Sequence, residues 1–445
     1  MTNGYNNHAN PIGRHFSLFA ASALILLATI FRGGNRYVPL NLLEWLGLAV
    51  FLGWALNALL NANEPHRSSL GTGKRRWALM ALITLPVWIA LLQLIPLPSG
   101  TGWHALSKVP QATWASALAG IPIAALFLSA LAVDSRALKV LVRFWVAVAV
   151  FQGALGVLQL GGFEVLNFGG PKTTGVVGTF ANRNHFASFI AMAIPLAMLS
   201  LKPHRPDPGK AGAVSWPAVA MLFVLVAGLF ASLSRAGLVL GLTAAMATGW
   251  VLWRPAQQKS HGSASWMRAL VPLLILLALA AGGLDWLSRF DASQLELSAR
   301  VREINRLSAW AAAQANWPMG SGLGTLSSVF PTYQAAEIPQ LVDHAHNDYV
   351  EWLLEMGIFF PIAVLILGTV AGPRLAQWAK STISPSKQNK LALACAMGLL
   401  AVSLHAWVDF PLHIPANAML AAFLLGTFLR EPEPDQHVSR RRPRA

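Results

Sequence analysis

Apolar runs long enough to cross a bilayer recur along this chain from residue 16 to residue 430. No other feature restricts the fold as much. A bilayer offers no water to an open backbone, so whatever crosses it must be a helix or a strand of a closed barrel. The runs fall at roughly 16–31, 40–60, 77–97, 114–133, 140–160, 184–201, 216–233, 237–253, 269–287, 350–372, 391–410 and 416–430, about twelve by the length criterion. Most are of helix length rather than strand length. Of the 445 residues, 55% are hydrophobic and only 11% charged, where a soluble protein carries about 25% charged residues. The expectation is an all-α, polytopic integral membrane protein with about 12 transmembrane helices.

The runs divide the chain into a cytoplasmic tail at 1–15, transmembrane helices 1–9 over 16–287, one long periplasmic loop at 288–349, transmembrane helices 10–12 over 350–430, and a basic cytoplasmic tail at 431–445. No small-residue cleavage site follows the first run, which reads as a retained anchor. The single Cys395 excludes an intramolecular disulfide. The net charge of +15 would suggest nucleic acid in a soluble protein. In a membrane protein the positive-inside rule accounts for it, and no nucleic acid partner is expected. With both termini cytoplasmic, about 23 Lys and Arg lie inside and about 10 outside. The C-terminal Arg440, Arg441, Arg442 and Arg444 then face anionic membrane lipids.

The groups suited to chemistry gather on the outer side of this topology. The densest stretch runs from Asp343 through His344, His346, Asn347 and Asp348 into an apolar segment. A helix starting near Asn347 puts Asp348, Glu351 and Glu355 on one face, at i, i+3 and i+7. Carboxylates in the first turns of a membrane helix are costly and line an interior or a cavity. A histidine near neutral pKa, oriented by a carboxylate, suits a general base. His344 and His346 also raise a metal, with Asp343, Asp348, His405 or His413 as a third ligand. That spacing does not complete a zinc site, and no metal or other cofactor is assigned.

The other polar knots have two readings each. Arg235, between two apolar runs, either snorkels to the headgroups or clamps an anion with its planar fork. Asn182-Arg183-Asn184-His185 opens the sixth run, where Asn can cap the helix and backbone N–H groups favour an anion. In Arg300-Val301-Arg302-Glu303-Ile304-Asn305-Arg306, a helix puts Arg302 and Arg306 on one face and lets Glu303 pair with Arg300. The same segment reads as an amphipathic helix lying on the membrane surface. His405 and Asp409 stand at i, i+4, a spacing that suits a structural hydrogen bond. Gly320-Ser321-Gly322-Leu323-Gly324 is like a dinucleotide-binding loop only superficially, since no strand precedes it.

Taken together, these segments resemble the O-antigen ligase and polymerase superfamily. The resemblance is carried by His344-Ala345-His346-Asn347-Asp348-Tyr349-Val350-Glu351 with Gly357, preceded by Pro318-Met319-Gly320-Ser321-Gly322-Leu323-Gly324. Gly178 to Asn184, Ser234-Arg235-Ala236-Gly237 and Arg300 to Trp310 are similar to the superfamily's other recurring segments, in the same order. The ligase-like core spans about 175–358.

The resemblance implies a metal-independent glycosyltransferase of the bacterial inner membrane, and transfer by a single displacement would invert the anomeric centre. Its donor is a glycan on a polyprenyl diphosphate, and its acceptor is lipid A–core, a second lipid-linked glycan or a protein hydroxyl. On that reading His346 is the base, with His344, Asp343 and Asp348 orienting it. Arg183, Arg235 and Arg300 hold the diphosphate, and Asn184, Asn347, Glu351 and Asp409 support the site. A solute transporter is the reading from another class. It predicts polar groups on both faces and repeated broken helices, neither of which the sequence displays.

Overall fold

The computed structural model describes residues 11–60, 74–99, 102–168, 175–201, 215–252, 292–381 and 387–431. The chain forms α1 (Pro11–Ile30), α2 (Tyr37–Leu60), α3 (Lys74–Leu94), α4 (Pro110–Ala132) and α5 (Ser135–Leu160). These are followed by α6 (Arg183–Met198), α7 (Trp216–Ala231), α8 (Arg235–Leu252), α9 (Ala292–Ala315) and the single turn α10 (Leu326–Val329). The last elements are α11 (Asp348–Met356), α12 (Phe359–Ser381), α13 (Lys387–His405) and α14 (Pro415–Leu429).

Among the described residues, six helices are long and apolar enough to cross a membrane, namely α2, α3, α4, α5, α8 and α12. Four shorter apolar helices, α1, α7, α13 and α14, accompany them. The run expected at 269–287 lies outside the described residues. Two departures from the expected pattern matter. A two-stranded antiparallel hairpin, β1 (Pro96–Ser99) and β2 (Gly102–Ala105), with Pro96 opposite Ala105, interrupts the all-α order. The run expected at 350–372 is also not one span. It breaks at Gly357, whose φ of 55° and ψ of −130° suit only glycine, and a Cβ there would lie 2.1 Å from the Pro318 carbonyl oxygen. Nine residues of α11 rise about 13.5 Å, less than half the ~30 Å of a hydrocarbon core.

The core is built around α6. Every side chain from His185 to Met198 is buried, as expected of a helix apolar on all sides. It packs against α5, α7, α8 and α13. Phe189 of α6 and Phe423 of α14 flank the buried Trp145 of α5, with ring centroids 5.9 and 6.1 Å away. Where α5 and α7 cross, Gly153 faces Gly228, and a Cβ on Gly228 would stand 3.0 Å from the Gly153 Cα. Small residues permit such close approach, and tight packing is what holds helices together where lipid is as apolar as the side chains.

The bundle has two distinct ends. At one, Arg75 and Arg374 hydrogen-bond the carbonyls of Leu429 and Phe428, the second at 3.1 Å. Arg430 reaches back to the carbonyls of Ala130 and Val133. The residues linking α5 to α6 and α13 to α14 meet at the opposite end, where the polar groups collect. The segment from α9 to α11 forms its own small core there, around Ala309, Leu326, Phe330, Ala345 and Leu354.

Candidate functional site

The loop before α6 is fixed by two glutamines of α5. Gln152 accepts from the Thr179 N–H at 3.0 Å and donates to its hydroxyl at 2.8 Å. Gln159 accepts from the N–H groups of Val177 and Gly178 at 3.1 and 2.9 Å. This pinned loop delivers Asn182 as the cap of α6, accepting from the Asn184 N–H at 2.8 Å. Asn184 and His185 then sit in the first turn of α6. Arg235 opens α8 beside them, because Gly237 lies so close to Ala187 that a Cβ there would stand 2.4 Å away.

Asn347 starts α11 as the sequence suggests. Its side-chain oxygen accepts from the N–H groups of Tyr349 and Val350, both at 3.1 Å. Its amide donates to the Trp407 carbonyl at 3.0 Å, and the Asp348 N–H donates to Ala406 at 2.9 Å. The 343–348 loop is thereby stitched to the 406–413 turn. His346 takes a left-handed φ of 51°, an uncommon conformation for a side chain of this kind. The two histidines of the loop meet different carboxylates.

One unit forms on Asp409, which is buried. The His346 Nδ1 stands 3.3 Å from its Oδ1, the His185 Nε2 3.9 Å from the same atom, and Asn184 donates to Oδ2 at 2.5 Å. The Phe410 N–H adds a fourth contact at 2.9 Å. Burial raises the Asp409 carboxyl, but the hydrogen bond from His346 and the charges of His185 and His346 outweigh it, and the group is held below its ordinary value. The second unit joins Asp348, Glu351, His344 and His413. The Glu351 Oε1 lies 2.8 Å from the His344 Nδ1 and 3.3 Å from the His413 Nε2, while Oε2 accepts from the Ala345 N–H at 2.9 Å. The His413 Nδ1 hydrogen-bonds Asp348, whose other oxygen accepts from the Leu412 N–H at 3.0 Å.

Phe410 separates the two units. His344 stacks on it at 4.0 Å, and His185 and His346 meet its edge at 4.6 and 5.1 Å. Burial works against charge on His413, but Glu351 and Asp348 on either side raise it to about 10. For Asp348, burial wins and raises the carboxyl. For Glu351, burial is outweighed by His413 and His344, and the carboxyl is lowered. Glu355, one turn further along α11, is raised to about 7 by burial and by the charge of Glu351. It accepts from the Leu326 N–H at 3.0 Å and caps α10.

The Gly-rich turn serves packing. The Ser321 and Gly322 N–H groups bond the carbonyls of Leu354 and Glu355 at 2.8 and 3.1 Å. Gln93 of α3 accepts from the Leu323 N–H at 3.0 Å and donates to the Glu355 carbonyl at 2.7 Å.

Several expected partnerships differ. Asp348 and Asp343 were expected to orient His346. The carboxylate beside His346 is instead Asp409, 63 residues away, while Asp348 faces His413 and Asp343 is exposed. His344 bonds Glu351 and not the His346 ring. Glu303 pairs with Arg306, at 2.9 Å from its Nε, and not with Arg300. Arg300 is exposed and Arg302 half-buried. His405 turns its Nδ1 to the Ser188 hydroxyl at 2.8 Å instead of to the Asp409 side chain. Sequence spacing singles out His413 only as a candidate metal ligand and says nothing of Phe410. Their Asp-Phe-Pro-Leu-His run was visible, but no periodicity links it to a loop sixty residues earlier.

These elements define a polytopic membrane protein with a histidine–carboxylate site at one end of its bundle. Residues 220–365 match the family described as O-Antigen ligase, and the resemblance read from the motifs is borne out over that segment. No curated protein matches the chain. The matched segment contains Arg235, Arg300, His344, His346 and Glu351. Asn184, His185, Asp409 and His413 complete the site from outside it.

Proposed function

We propose that this protein moves a glycan from a polyprenyl-diphosphate donor to an acceptor hydroxyl at the outer face of the bacterial inner membrane, in surface polysaccharide synthesis. The observation that carries the reading is the His346–Asp409 pair. The His346 side chain keeps 32% of its surface exposed while its Nδ1 faces a carboxylate with 1% exposed. With Nδ1–H directed at Asp409, the Nε2 lone pair is free to take a proton.

In the reaction the acceptor oxygen attacks the anomeric carbon as His346 Nε2 removes its proton. The bond from that carbon to the diphosphate oxygen breaks, and the electron pair leaves with the lipid diphosphate. A single displacement of this kind inverts the anomeric centre. The donor is already activated, so the step calls for fixed cations at the leaving group rather than for a nucleotide. Arg183 and Arg235 lie at the same end of the bundle as His346, and Arg guanidinium forks match phosphate oxygens. Arg300 and Arg302 on α9 extend this cationic surface, Arg302 nearer to the histidines. The arginines at the opposite end, Arg75, Arg374 and Arg430, support a cytoplasmic assignment for that end and an outer one for the site.

The test is a strain deleted for the gene, its surface polysaccharide separated on a gel and complemented with wild type or His346→Ala. Full-length glycan unattached to lipid A–core in the deletion and in the His346→Ala strain identifies a ligase that uses this residue. Single repeat units alone identify a polymerase. Unchanged surface glycan redirects the reading to protein glycosylation. Full complementation by a folded His346→Ala protein removes the base.

A further inference from the structure

We propose that His344, Glu351 and His413 form a zinc-class divalent-cation site that braces the 343–348 loop, α11 and the 411–413 turn together. The inference does not rest on the transfer reaction, and His346 lies outside the cluster.

The geometry is that of a two-nitrogen, one-oxygen set. The ligand atoms of the three residues all lie within 4.8 Å of one another. A tetrahedral zinc with bonds of about 2.0–2.2 Å sets neighbouring ligands roughly 3.3 Å apart. The Glu351 Oε1 is already 2.8 Å from the His344 Nδ1 and 3.3 Å from the His413 Nε2. Its other oxygen is occupied by the Ala345 N–H, which leaves Oε1 as the ligating atom. The far nitrogen of His413 bonds Asp348, and a carboxylate behind a histidine is the usual second layer of a zinc site, fixing the tautomer and raising the basicity of the ligating nitrogen. Phe410 and Trp352 wall the site, with ring centroids 4.0 Å from His344 and 5.6 Å from His413. Both histidines keep some exposure and Glu351 almost none, so a fourth ligand position opens toward water.

The charges permit the ion. Two buried carboxylates, Asp348 and Glu351, face the two imidazoles of His344 and His413. A divalent ion bound to neutral imidazoles balances the same two negative charges as two protons do. Its binding moves the shared protons out, so uptake is accompanied by proton release.

The experiment uses the full chain in detergent micelles, stripped of metal with a chelator, dialysed, and titrated with zinc by calorimetry. Wild type takes up one ion per chain and releases protons, and His346→Ala behaves the same. Asp348→Asn binds about tenfold to hundredfold more weakly. His344→Ala and His413→Ala bind none. A wild type that unfolds cooperatively yet takes up no zinc overturns the proposal. So does uptake that persists unchanged in both His344→Ala and His413→Ala. If the ligand variants misfold, Asp348→Asn decides: uptake as tight as that of wild type places the ion elsewhere and overturns the proposal.

Discussion

Asp409 does for His346 what no residue of the 343–348 loop does. Its carboxylate is buried, held ionised by the imidazoles around it, and fixed by Asn184 and the Phe410 N–H. If His346 is the base, as proposed, His346→Ala should lower the transfer rate measured with purified lipid-diphosphate donor by about 10²–10⁴-fold. Asp409→Asn keeps the shape and the hydrogen-bond reach but removes the charge, so kcat should fall by a smaller factor with KM for the donor unchanged. An equal loss in KM would mean that Asp409 serves binding instead. Phe410 is the shared wall of three histidines and is itself buried. Truncation to Ala should cost about 3–5 kcal/mol, read as a lowered thermal midpoint in detergent. Phe410→Leu, which keeps most of the volume, should cost clearly less. These residues show where the sequence reading ended. His346, Asn347, Asp348 and Glu351 stand out in one dense stretch. Asp409 and His413 acquire meaning only when a turn sixty residues later folds onto that stretch.

At the scale of the element, α11 behaves as the sequence suggests at its start and not at its end. Asn347 caps it, and Asp348, Glu351 and Glu355 share its buried face, as the i, i+3, i+7 spacing requires. The apolar run beyond it gives no sign of a break, because a lone glycine inside a span is ordinary in membrane helices. Gly357 becomes a stop only because the Pro318 carbonyl presses against it. Gly357→Ala must adopt a conformation that L residues avoid and displace that backbone. It should lower the thermal midpoint by more than any surface change, or prevent recovery of folded protein.

Glu355 supplies a pH dependence on the same helix. Its folded pKa of about 7 lies above the ordinary carboxylate value of 4.5. The folded state therefore holds the proton more tightly than the unfolded chain between those pH values. Stability from this group is full below about pH 4.5 and declines as pH rises to about 7, with no further change above. Glu355→Gln keeps the oxygen that accepts from Leu326 and removes the titration. Its thermal midpoint should match wild type near pH 5 and exceed it at pH 8. Parallel curves for the two proteins across that range would show that Glu355 stays ionised throughout.

For the whole molecule, the alternation of helices joins the two ends of the bundle to the two sides of a membrane. The α4–α5 turn is packed under Arg430, at the end of α14. That helix begins at the site, just after His413, so the turn and the site lie one helix length apart. Hydropathy made this alternation legible, since length and apolarity alone mark the runs. Helix-to-helix packing was not legible, because lipid-facing and protein-facing apolar positions are alike in sequence. The only cysteine, Cys395, is fully buried, which makes a single introduced cysteine a clean reporter. Asp343→Cys replaces an exposed residue beside the site, and Arg136→Cys an exposed residue at the other end. A membrane-impermeant maleimide added to intact spheroplasts should label Asp343→Cys at once. It should label Arg136→Cys only after the membrane is permeabilised. The basic end, with Arg75, Arg374 and Arg430, is then cytoplasmic, as the charge asymmetry demands. The reverse pattern would put His346 on the cytoplasmic side. It would exclude transfer to an outer acceptor while leaving the His346–Asp409 pair and the His344–Glu351–His413 cluster as they stand.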